Sequence, residues 1–338
     1  MRRWVLLAAA AAAVTLAVAG CGATDSAVTS PPPGTSPVSQ APGAIGPAPT
    51  SAVPTPTVTS NPPAAASAVG VGGGGGGAPV KALVVVEENH SQSSVLSGMP
   101  YLASLADTYG QTSAYQAVAH PSLPNYLAII GGSTFGVTDD RPPADHPVPG
   151  ASVLDAAIAE SATAKAYIED MPGPCTLVSG GDYAVKHNPW AYFADQTDRG
   201  NCRNFDVPAG TPTGGALRDD VRAGTLPIVG LLIPNLCHDA HNCPLGTADA
   251  WLQQWLPILM QGPDYLAGRL AIVITFDEDD NSGDNTVLTT VIARTVHHVS
   301  AAAPLTHYSL TRYLADLAGT PPPGEAATAL SLGSAFGL

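Results

Sequence analysis

From residue 79 onward, short apolar segments alternate with segments whose apolar residues recur at helical spacing. The segment 80–86 (VKALVVV) lacks polar alternation and is rich in β-branched residues, which is typical of a parallel strand buried on both faces. Further strands are predicted at 164–168, 226–233, 270–276 and 286–293. Helices are predicted at 100–109, 153–160, 215–223, 248–260 and 308–317. The alternation indicates an α/β fold with three layers, in which a largely parallel central sheet carries helices on both faces.

The first 78 residues have a different composition. Arg2 and Arg3 precede an apolar stretch that is typical of a signal peptide over residues 1–20. The small residues before Cys21 resemble a bacterial lipobox, in which the cysteine is lipidated; the alternative is an ordinary signal peptide followed by a chance cysteine. Residues 21–78, which begin with this cysteine, are rich in Pro, Gly and Ala and predict a disordered linker. We therefore expect an exported protein whose domain at 79–338 is anchored at the outer face of the cytoplasmic membrane, or is secreted.

The chain is acidic, with 13 Lys and Arg against 27 Asp and Glu and a formal net charge of −14. This charge argues against nonspecific nucleic-acid binding, which requires a basic face. An acidic domain would also repel a phosphorylated substrate unless a bound cation inverted the local potential.

Four cysteines remain in the predicted domain: Cys175, Cys202, Cys237 and Cys243. An even number in an exported chain predicts two disulfides. Of the three possible pairings we favour Cys175 with Cys202 and Cys237 with Cys243, because each closes a loop within one local segment.

Three predicted strands end in groups that carry chemistry. Strand 80–86 is followed by Glu88 and Asn89, strand 226–233 by the histidine-rich segment 234–241, and strand 270–276 by Asp277 and Glu278. The carboxyl ends of parallel strands meet at one edge of a sheet, so these groups should lie close together. Converging carboxylates repel one another unless a divalent cation lies between them, and oxygen ligands suit Mg, Ca, Mn or Fe.

Ser122 lies in the segment HPSLPNY at 120–126, where Pro124 suits the first turn of a helix. A hydroxyl at a helix start and next to a cation can act as a nucleophile toward phosphorus, because backbone N–H groups there bind anions. The alternative is that Ser122 only caps the helix.

Five ordered motifs together resemble the bacterial phosphoesterase family, which contains acid phosphatases and phospholipases C within the alkaline phosphatase superfamily. They are ENH at 88–90, HPSLPNYLAIIGG at 120–132, PNLCHDAHNC at 234–243, TFDEDD at 275–280 and THYSLTRYLADLAG at 306–319. The chain is most similar to the secreted acid phosphatases of mycobacteria and related actinobacteria, some of which act on phosphatidylinositol 3-phosphate. The resemblance implies an alkaline phosphatase-like fold.

The resemblance also implies roles for particular residues. It implies one divalent cation held by Glu88, Asn89, Asp277 and Glu278, with Ser122 as the nucleophile that forms a phosphoserine. His241 and His307 match positions that approach the reacting phosphate, and Asn125, His238 and Asp239 match substrate contacts. The implied function is hydrolysis of phosphate monoesters, either of a phosphorylated small molecule or of a phospholipid headgroup.

Two other functions remain open from the sequence. A phospholipase C-type phosphodiesterase would share the cation and the nucleophile, and a non-catalytic binding lipoprotein would keep the fold without the chemistry. His187, in the segment KHNPW, and the pair His297 and His298 are interpreted as structural or surface residues, because a lone histidine is more often structural than catalytic.

Overall fold

The computed structural model describes residues 77–338. The predicted signal peptide, Cys21 and nearly all of the predicted linker lie outside these residues. The strands are β1 (Lys81–Glu87), β2 (Gly110–Thr112), β3 (Tyr115–Gln116), β4 (Ala164–Ile168), β5 (Asp206–Pro208), β6 (Val229–Ile233), β7 (Leu270–Phe276), β8 (Thr290–Ile292), β9 (Val299–Ala301) and β10 (Leu305–Thr306). Within the described range, eight of them form one sheet in the order β5-β4-β6-β1-β7-β8-β2-β9, and β3 pairs with β10.

The centre of the large sheet is parallel. Strand β1 pairs with β6 on one side and with β7 on the other, and β4 continues the parallel order to β5. Strand β7 is completely buried, and in β1 every residue after Lys81 is buried, as expected for strands covered on both faces. Strand β8 departs from this order and runs antiparallel to both β7 and β2. The prediction of a largely parallel sheet is therefore confirmed, with one reversed strand.

The helices are α1 (Gln92–Gly98), α2 (Pro100–Thr108), α3 (Ser122–Gly131), α4 (Val153–Ala159), α5 (Gln196–Phe205), α6 (Ala216–Ala223), α7 (Leu245–Met260), α8 (Pro263–Leu266), α9 (His307–Ala318) and α10 (Leu332–Phe336). They form two groups. Helix α9 packs against α3, α4 and α10, and α7 packs against α1, α2, α6 and α8. Two such groups are expected for helical layers on the two faces of one sheet. No helix among residues 77–338 has the length and apolar character needed to cross a bilayer.

The predicted elements differ from the observed ones mainly at strand ends. The strand predicted at 226–233 begins only at Val229, because the amide of Leu226 donates to Asp264 Oδ2 (3.2 Å) and Pro227 has no amide proton. The strand predicted at 286–293 is reduced to β8. The residues before β8 bond elsewhere: the amide of Val287 donates to the carbonyl of Tyr115, 3.0 Å away.

Helices α1, α5, α8 and α10 and the short strands β2, β3, β5, β9 and β10 were not predicted. Helix α5 (QTDRGNCRNF) is polar except for Cys202 and Phe205 and has a glycine in its middle, so it lacks the apolar periodicity of a helix that packs against a core. Strands of two or three residues are too short to show a period of two.

Both disulfides have the pairing favoured from the sequence. Cys175 is bonded to Cys202, with their Cα atoms 5.3 Å apart, and Cys237 to Cys243, with their Cα atoms 4.7 Å apart. The second disulfide closes the loop that follows β6. The first joins α5 to Cys175, which lies in the segment after β4. Because β4 and β6 are parallel neighbours, both disulfides constrain loops at the edge of the sheet where these strands end.

Helix α3 is buried along its whole length and ends at Gly132, whose φ is +64°. The carbonyl of Gly132 accepts a hydrogen bond from the amide of Glu325 (2.7 Å). A Cβ atom at Gly132 would lie 2.1 Å from the carbonyl oxygen of Pro323. Glycine is thus required here both by the backbone conformation and by the close approach of the chain before residue 324.

We expect Gly132→Ala to destabilise the fold by roughly 2–5 kcal/mol, the sum of left-handed strain and overpacking. Gly136→Ala is the matched control: Gly136 has a similar φ of +73°, and a Cβ there would meet no atom within 4 Å. The control should lose only about 1–2 kcal/mol. Chemical denaturation of both variants measures the difference, and equal losses would show that the Pro323 contact does not restrain this helix end.

Candidate active site

The ends of β1 and β7 bring the predicted carboxylates together. The last residue pair of the two strands is Glu87 with Phe276, so the next residues, Glu88 and Asp277, lie side by side where the strands end. The backbone amide of Asn89 donates to Asp277 Oδ1 at 3.1 Å. The convergence expected from the strand ends is therefore observed for Glu88, Asn89, Asp277 and Glu278.

These carboxyl groups are almost inaccessible to solvent: Glu88 and Asp277 are 0% exposed and Glu278 is 3% exposed. Burial, reinforced by Asp277 and Asp239, raises the pKa of Glu88 well above its usual value, and burial together with Glu278 does the same for Asp277. Burial and the Asp140 carboxylate raise the pKa of Glu278 to about 7. The protein thus holds several acidic groups where their ionised forms are disfavoured.

The carboxamide of Asn89 lies against two of these carboxylates. With its oxygen facing them, three oxygens from Asn89, Asp277 and Glu88 meet without a proton between them. With the amide turned over, its nitrogen donates to Asp277 Oδ1 (3.2 Å) and also to Glu88 Oε2. The first orientation suits a cation among the oxygens, and the second suits the carboxylates alone.

Ser122 is the first residue of α3 and is buried beside the carboxylates. Its Oγ donates to Glu88 Oε2 at 3.1 Å and lies 3.5 Å from Glu278 Oε1. Asp140 secures this helix start, because its Oδ1 accepts a hydrogen bond from the amide of Leu123 (3.0 Å). The sequence alternative in which the Ser122 side chain caps the helix does not apply, because that side chain bonds carboxylates and the N-cap residue is Pro121.

Lys186 supplies a positive charge next to the serine. Its Nζ lies 3.4 Å from Ser122 Oγ, 3.1 Å from Asp140 Oδ2 and 3.3 Å from His241 Nε2. Burial opposes the ammonium form, but the carboxylates of Glu88 and Asp140 outweigh burial and raise the pKa of Lys186. The side chain therefore remains an ammonium that contacts the hydroxyl directly.

His187, the next residue, links two acidic groups. Its Nδ1 is 3.1 Å from Asp239 Oδ2, and its Nε2 is 3.1 Å from Glu88 Oε1. The ring stacks on Tyr126 of α3, with centroids 5.1 Å apart and planes inclined by 9°. Glu88, His187 and His241 each offer one potential ligand atom, and these atoms all lie within 4.8 Å of one another. Glu88 is therefore shared by two groups of potential metal ligands: the predicted oxygen donors, and this group with two imidazole nitrogens.

The structure revises the predicted substrate contacts. Asn125 does not face the site: its Oδ1 accepts the amides of Val118 and Ala119, and its Nδ2 donates to the carbonyls of Ala119 and Pro121. All its bonds hold the loop before α3 in place. Asn125 thus positions Ser122 through the backbone.

Asp239 and His238 are also engaged in bonds within the protein. Asp239 is fully buried, and its oxygens accept from the amide of His241 (2.8 Å) and pair with His187. Burial raises the pKa of Asp239 to about 7. His238 Nδ1 lies 2.9 Å from Glu169 Oε2, and its ring lies next to Trp251. Asp239 positions two histidines, whereas His238 bonds Glu169 instead of the groups around Ser122.

His307 lies behind the site. It is 0% exposed, and its Nε2 is 2.6 Å from the carbonyl oxygen of Asp277 while its Nδ1 is 3.1 Å from the hydroxyl of Tyr115. Burial lowers the pKa of His307 to about 4. A neutral ring that is completely buried has no access to a leaving group, so the catalytic role expected for His307 becomes one of positioning Asp277. His241 also has both ring nitrogens engaged, with Nδ1 2.8 Å from Asn242 Oδ1 and Nε2 3.3 Å from Lys186 Nζ, but it differs from His307 in being exposed.

Four residues of the site were not predicted from the sequence. Asp140 comes from a loop, Lys186 and His187 come from the short 3-10 helix Val185–His187, and His120 Nδ1 is 2.6 Å from Glu278 Oε2. The interpretation of His187 as structural or surface is wrong in part, because this buried ring contacts Glu88 directly. His297 and His298, in contrast, are exposed and bond backbone carbonyls, as expected for surface residues. The only usable signal was the adjacency of a lysine and a histidine in the KHNPW segment.

Comparison with known proteins identifies the family of this chain. The family model described as the Phosphoesterase family matches residues 95–293. The phosphatidylinositol-3-phosphatase of Mycobacterium tuberculosis is 31% identical over 253 residues, which cover 73% of this chain and 79% of that protein. The phosphate-repressible acid phosphatase of Penicillium chrysogenum is 29% identical over 62% of this chain, which spans 52% of the fungal protein.

A solved structure supports the fold. A protein of the alkaline phosphatase superfamily from Vibrio parahaemolyticus superposes with a TM-score of 0.51 at 11% identity, covering 74% of this chain and 70% of that one. The family match spans more than half of the chain, and the mycobacterial relative matches nearly three quarters of it. The chain belongs to the Phosphoesterase family.

Proposed function

We propose that the protein is a cation-dependent phosphatase that hydrolyses phosphate monoesters through a phosphoserine formed on Ser122. One observation carries the proposal: the buried hydroxyl of Ser122 lies between the carboxylate of Glu88 (3.1 Å) and the ammonium of Lys186 (3.4 Å). A hydroxyl with an acceptor on one side and a cationic group on the other is suited to attack an anionic ester. The names of the mycobacterial and fungal relatives support the same class of substrate.

The residues present fit a divalent cation. Glu88, Asn89, Asp277 and Glu278 offer oxygen donors, and Asp277 Oδ2 is buried without a hydrogen-bond partner. We propose that these four residues hold the cation. When bound, it would neutralise the carboxylates, polarise the phosphate and favour the ionised serine.

The protein residues account for the proton transfers in two steps. In the first, the ionised Ser122 Oγ, whose proton has passed to solvent, attacks phosphorus, the bond from phosphorus to the alcohol oxygen breaks, and His241 gives a proton to that oxygen. In the second, water attacks the phosphoserine as His241 takes a proton from it. The bond from phosphorus to Oγ then breaks and leaves Ser122 ionised for the next turnover. Lys186 stabilises the charge on the phosphate oxygens in both steps.

We also propose that this chemistry takes place outside the cytoplasm. Disulfides such as Cys175–Cys202 and Cys237–Cys243 persist in oxidising compartments. Lipidation of Cys21 remains a prediction from the sequence. An anchored enzyme could reach either a phospholipid headgroup or a free phosphorylated molecule.

Ser122→Ala should lower the rate of p-nitrophenyl phosphate hydrolysis by at least about a thousandfold, because the nucleophile is lost. Labelled phosphate should be retained on acid-quenched wild-type protein and absent from the variant. Ser113→Ala is the control, since Ser113 is exposed and its hydroxyl bonds only the Ala301 carbonyl (3.4 Å). Near wild-type turnover by Ser122→Ala would eliminate this nucleophile. Phosphate binding by the wild type without turnover would instead favour the non-catalytic lipoprotein.

After removal of divalent cations, the free energy of unfolding should decrease as the pH rises. Glu278 and Asp239 have pKa values of about 7 in the fold, against ~4 in an unfolded chain. Between these values the folded state binds more protons, so the chelated protein should become less stable as the pH rises from 5 to 8.

Thermal unfolding of chelated protein at pH 5 and pH 8 checks this expectation. The melting temperature should fall by at least about 5 °C over this interval, and added Mg²⁺ or Mn²⁺ should restore it at pH 8 but have little effect at pH 5. Glu278→Gln removes one titrating group and should reduce the dependence on pH. A chelated protein that gains stability as the pH rises would contradict the proposed set of buried acidic groups.

A further inference from the structure

A cleft of about 310 Å³ opens directly beside the nucleophile. Lys186, which contacts Ser122 Oγ, and His241, which contacts Lys186, both line it. Its other walls come from the segment 179–185, from Leu236 in the loop after β6, and from Asp140 and Pro142. The volume is at the small end of the range of roughly 300–1,000 Å³ that is usual for small-molecule sites.

We propose that this cleft binds the alcohol half of the ester, and that it selects an uncharged alcohol of about the size of one substituted ring. The inference rests on the proposed function, in which His241 gives its proton to the alcohol oxygen. Because His241 lines the cleft, the oxygen that it protonates must lie against this wall, next to Lys186. The remainder of the alcohol then extends along the walls.

The walls are largely apolar and are held in place before any ligand binds. Tyr183 is buried, and its hydroxyl donates to the carbonyl of Thr176 (2.6 Å). The amide of Val185 donates to Ser179 Oγ (2.9 Å), and the amide of Leu236 donates to the carbonyl of Asp182 (2.9 Å). The last bond ties the two walls to each other. A preformed apolar cleft binds a ring with little loss of conformational entropy.

The charges around the cleft disfavour a second anionic group on the substrate. The ammonium of Lys186 is already paired with Asp140 at 3.1 Å and faces the reacting centre. Asp182 lies next to the wall residues Gly181 and Tyr183 and is exposed. The chain as a whole carries a formal charge of −14. Apart from Lys186 and His241, which serve the reacting centre, the residues that line the cleft offer no cationic side chain to a carboxylate or a second phosphate on the alcohol. Of the two substrates proposed above, this favours the free phosphorylated molecule, because the alcohol half of a phosphoinositide carries an anionic phosphodiester.

Filling the cleft separates this site from the reacting centre. Ala184 lines the cleft and has an ordinary extended backbone (φ −108°, ψ 117°), so Ala184→Phe is sterically compatible with the chain. Phenylphosphonate, which is not hydrolysed, should bind at least about tenfold more weakly to Ala184→Phe, whereas inhibition by inorganic phosphate should be unchanged. Val178→Phe is the matched control, because Val178 is 73% exposed in the same loop but does not line the cleft.

A second variant covers the case in which Ala184→Phe does not fold. Leu236→Ser should also weaken phenylphosphonate binding while leaving inhibition by inorganic phosphate intact. If either folded variant binds phenylphosphonate as tightly as the wild type, the cleft does not hold the alcohol half. Binding is measured by calorimetry, so this result stands even if the protein hydrolyses no ester, which would overturn the proposed function alone.

Two substrates of equal ring size test the charge selection. Wild-type kcat/KM should be at least about tenfold lower for 4-carboxyphenyl phosphate than for phenyl phosphate. Equal values would overturn the selection of uncharged alcohols. A preference for the carboxylated ester would overturn it as well and would indicate a cationic partner outside the walls described above.

Discussion

The structure depends on how the protein accommodates buried negative charge at one edge of its sheet. Glu88, Asp277, Glu278 and Asp239 lie within one site and are nearly inaccessible to water. Ionised carboxylates in such surroundings repel one another and lose hydration, and the protein opposes this with Lys186 and with partly engaged histidines. Protonation can relieve the conflict, and so can a cation. An anionic substrate adds negative charge to the same place. A cation would also contribute positive charge toward that substrate, which protonation of the carboxylates alone does not.

The fold explains why these groups converge. Parallel strands β1 and β7 end together, which places Glu88 beside Asp277 without any long-range adjustment. Helix α3 then begins at the same edge and delivers Ser122 to the carboxylates. Asp140 joins these parts, because one of its oxygens accepts from the first turn of α3 while the other pairs with Lys186. A single side chain thus sets the position of the Ser122 hydroxyl relative to the ammonium next to it.

Sequence patterns predict those parts of the site that follow from strand ends. Glu88, Asn89, Asp277 and Glu278 were predicted to meet because chemistry in open α/β sheets lies beyond the carboxyl ends of parallel strands, and they do meet. Lys186 carries no such signal. It reaches Ser122 from a single turn of 3-10 helix, and the course of the segment before that turn depends on tertiary bonds such as that between Leu236 and Asp182.

The sequence also does not predict the direction in which a side chain points. His307 is the first residue of α9 and lies near the edge predicted from the sequence, but its ring turns inward to the Asp277 carbonyl. Asn125 likewise has the expected place in the chain, yet its side-chain amide hydrogen-bonds the backbone of the loop before α3. A pattern of residues predicts the element that carries a side chain and its approximate position. It does not predict which of several nearby partners that side chain will bond.

The central claim is that a cation occupies the space among the strand-end carboxylates. Anomalous diffraction from crystals soaked in Mn²⁺ at pH 8 tests it most directly. We predict a strong anomalous peak within bonding distance of Glu88, Asp277 and Glu278, next to Ser122 Oγ, and its loss from crystals of Asp277→Asn protein. Crystals that bind Mn²⁺ only elsewhere, or that show no peak beside Ser122, would contradict this account of the site.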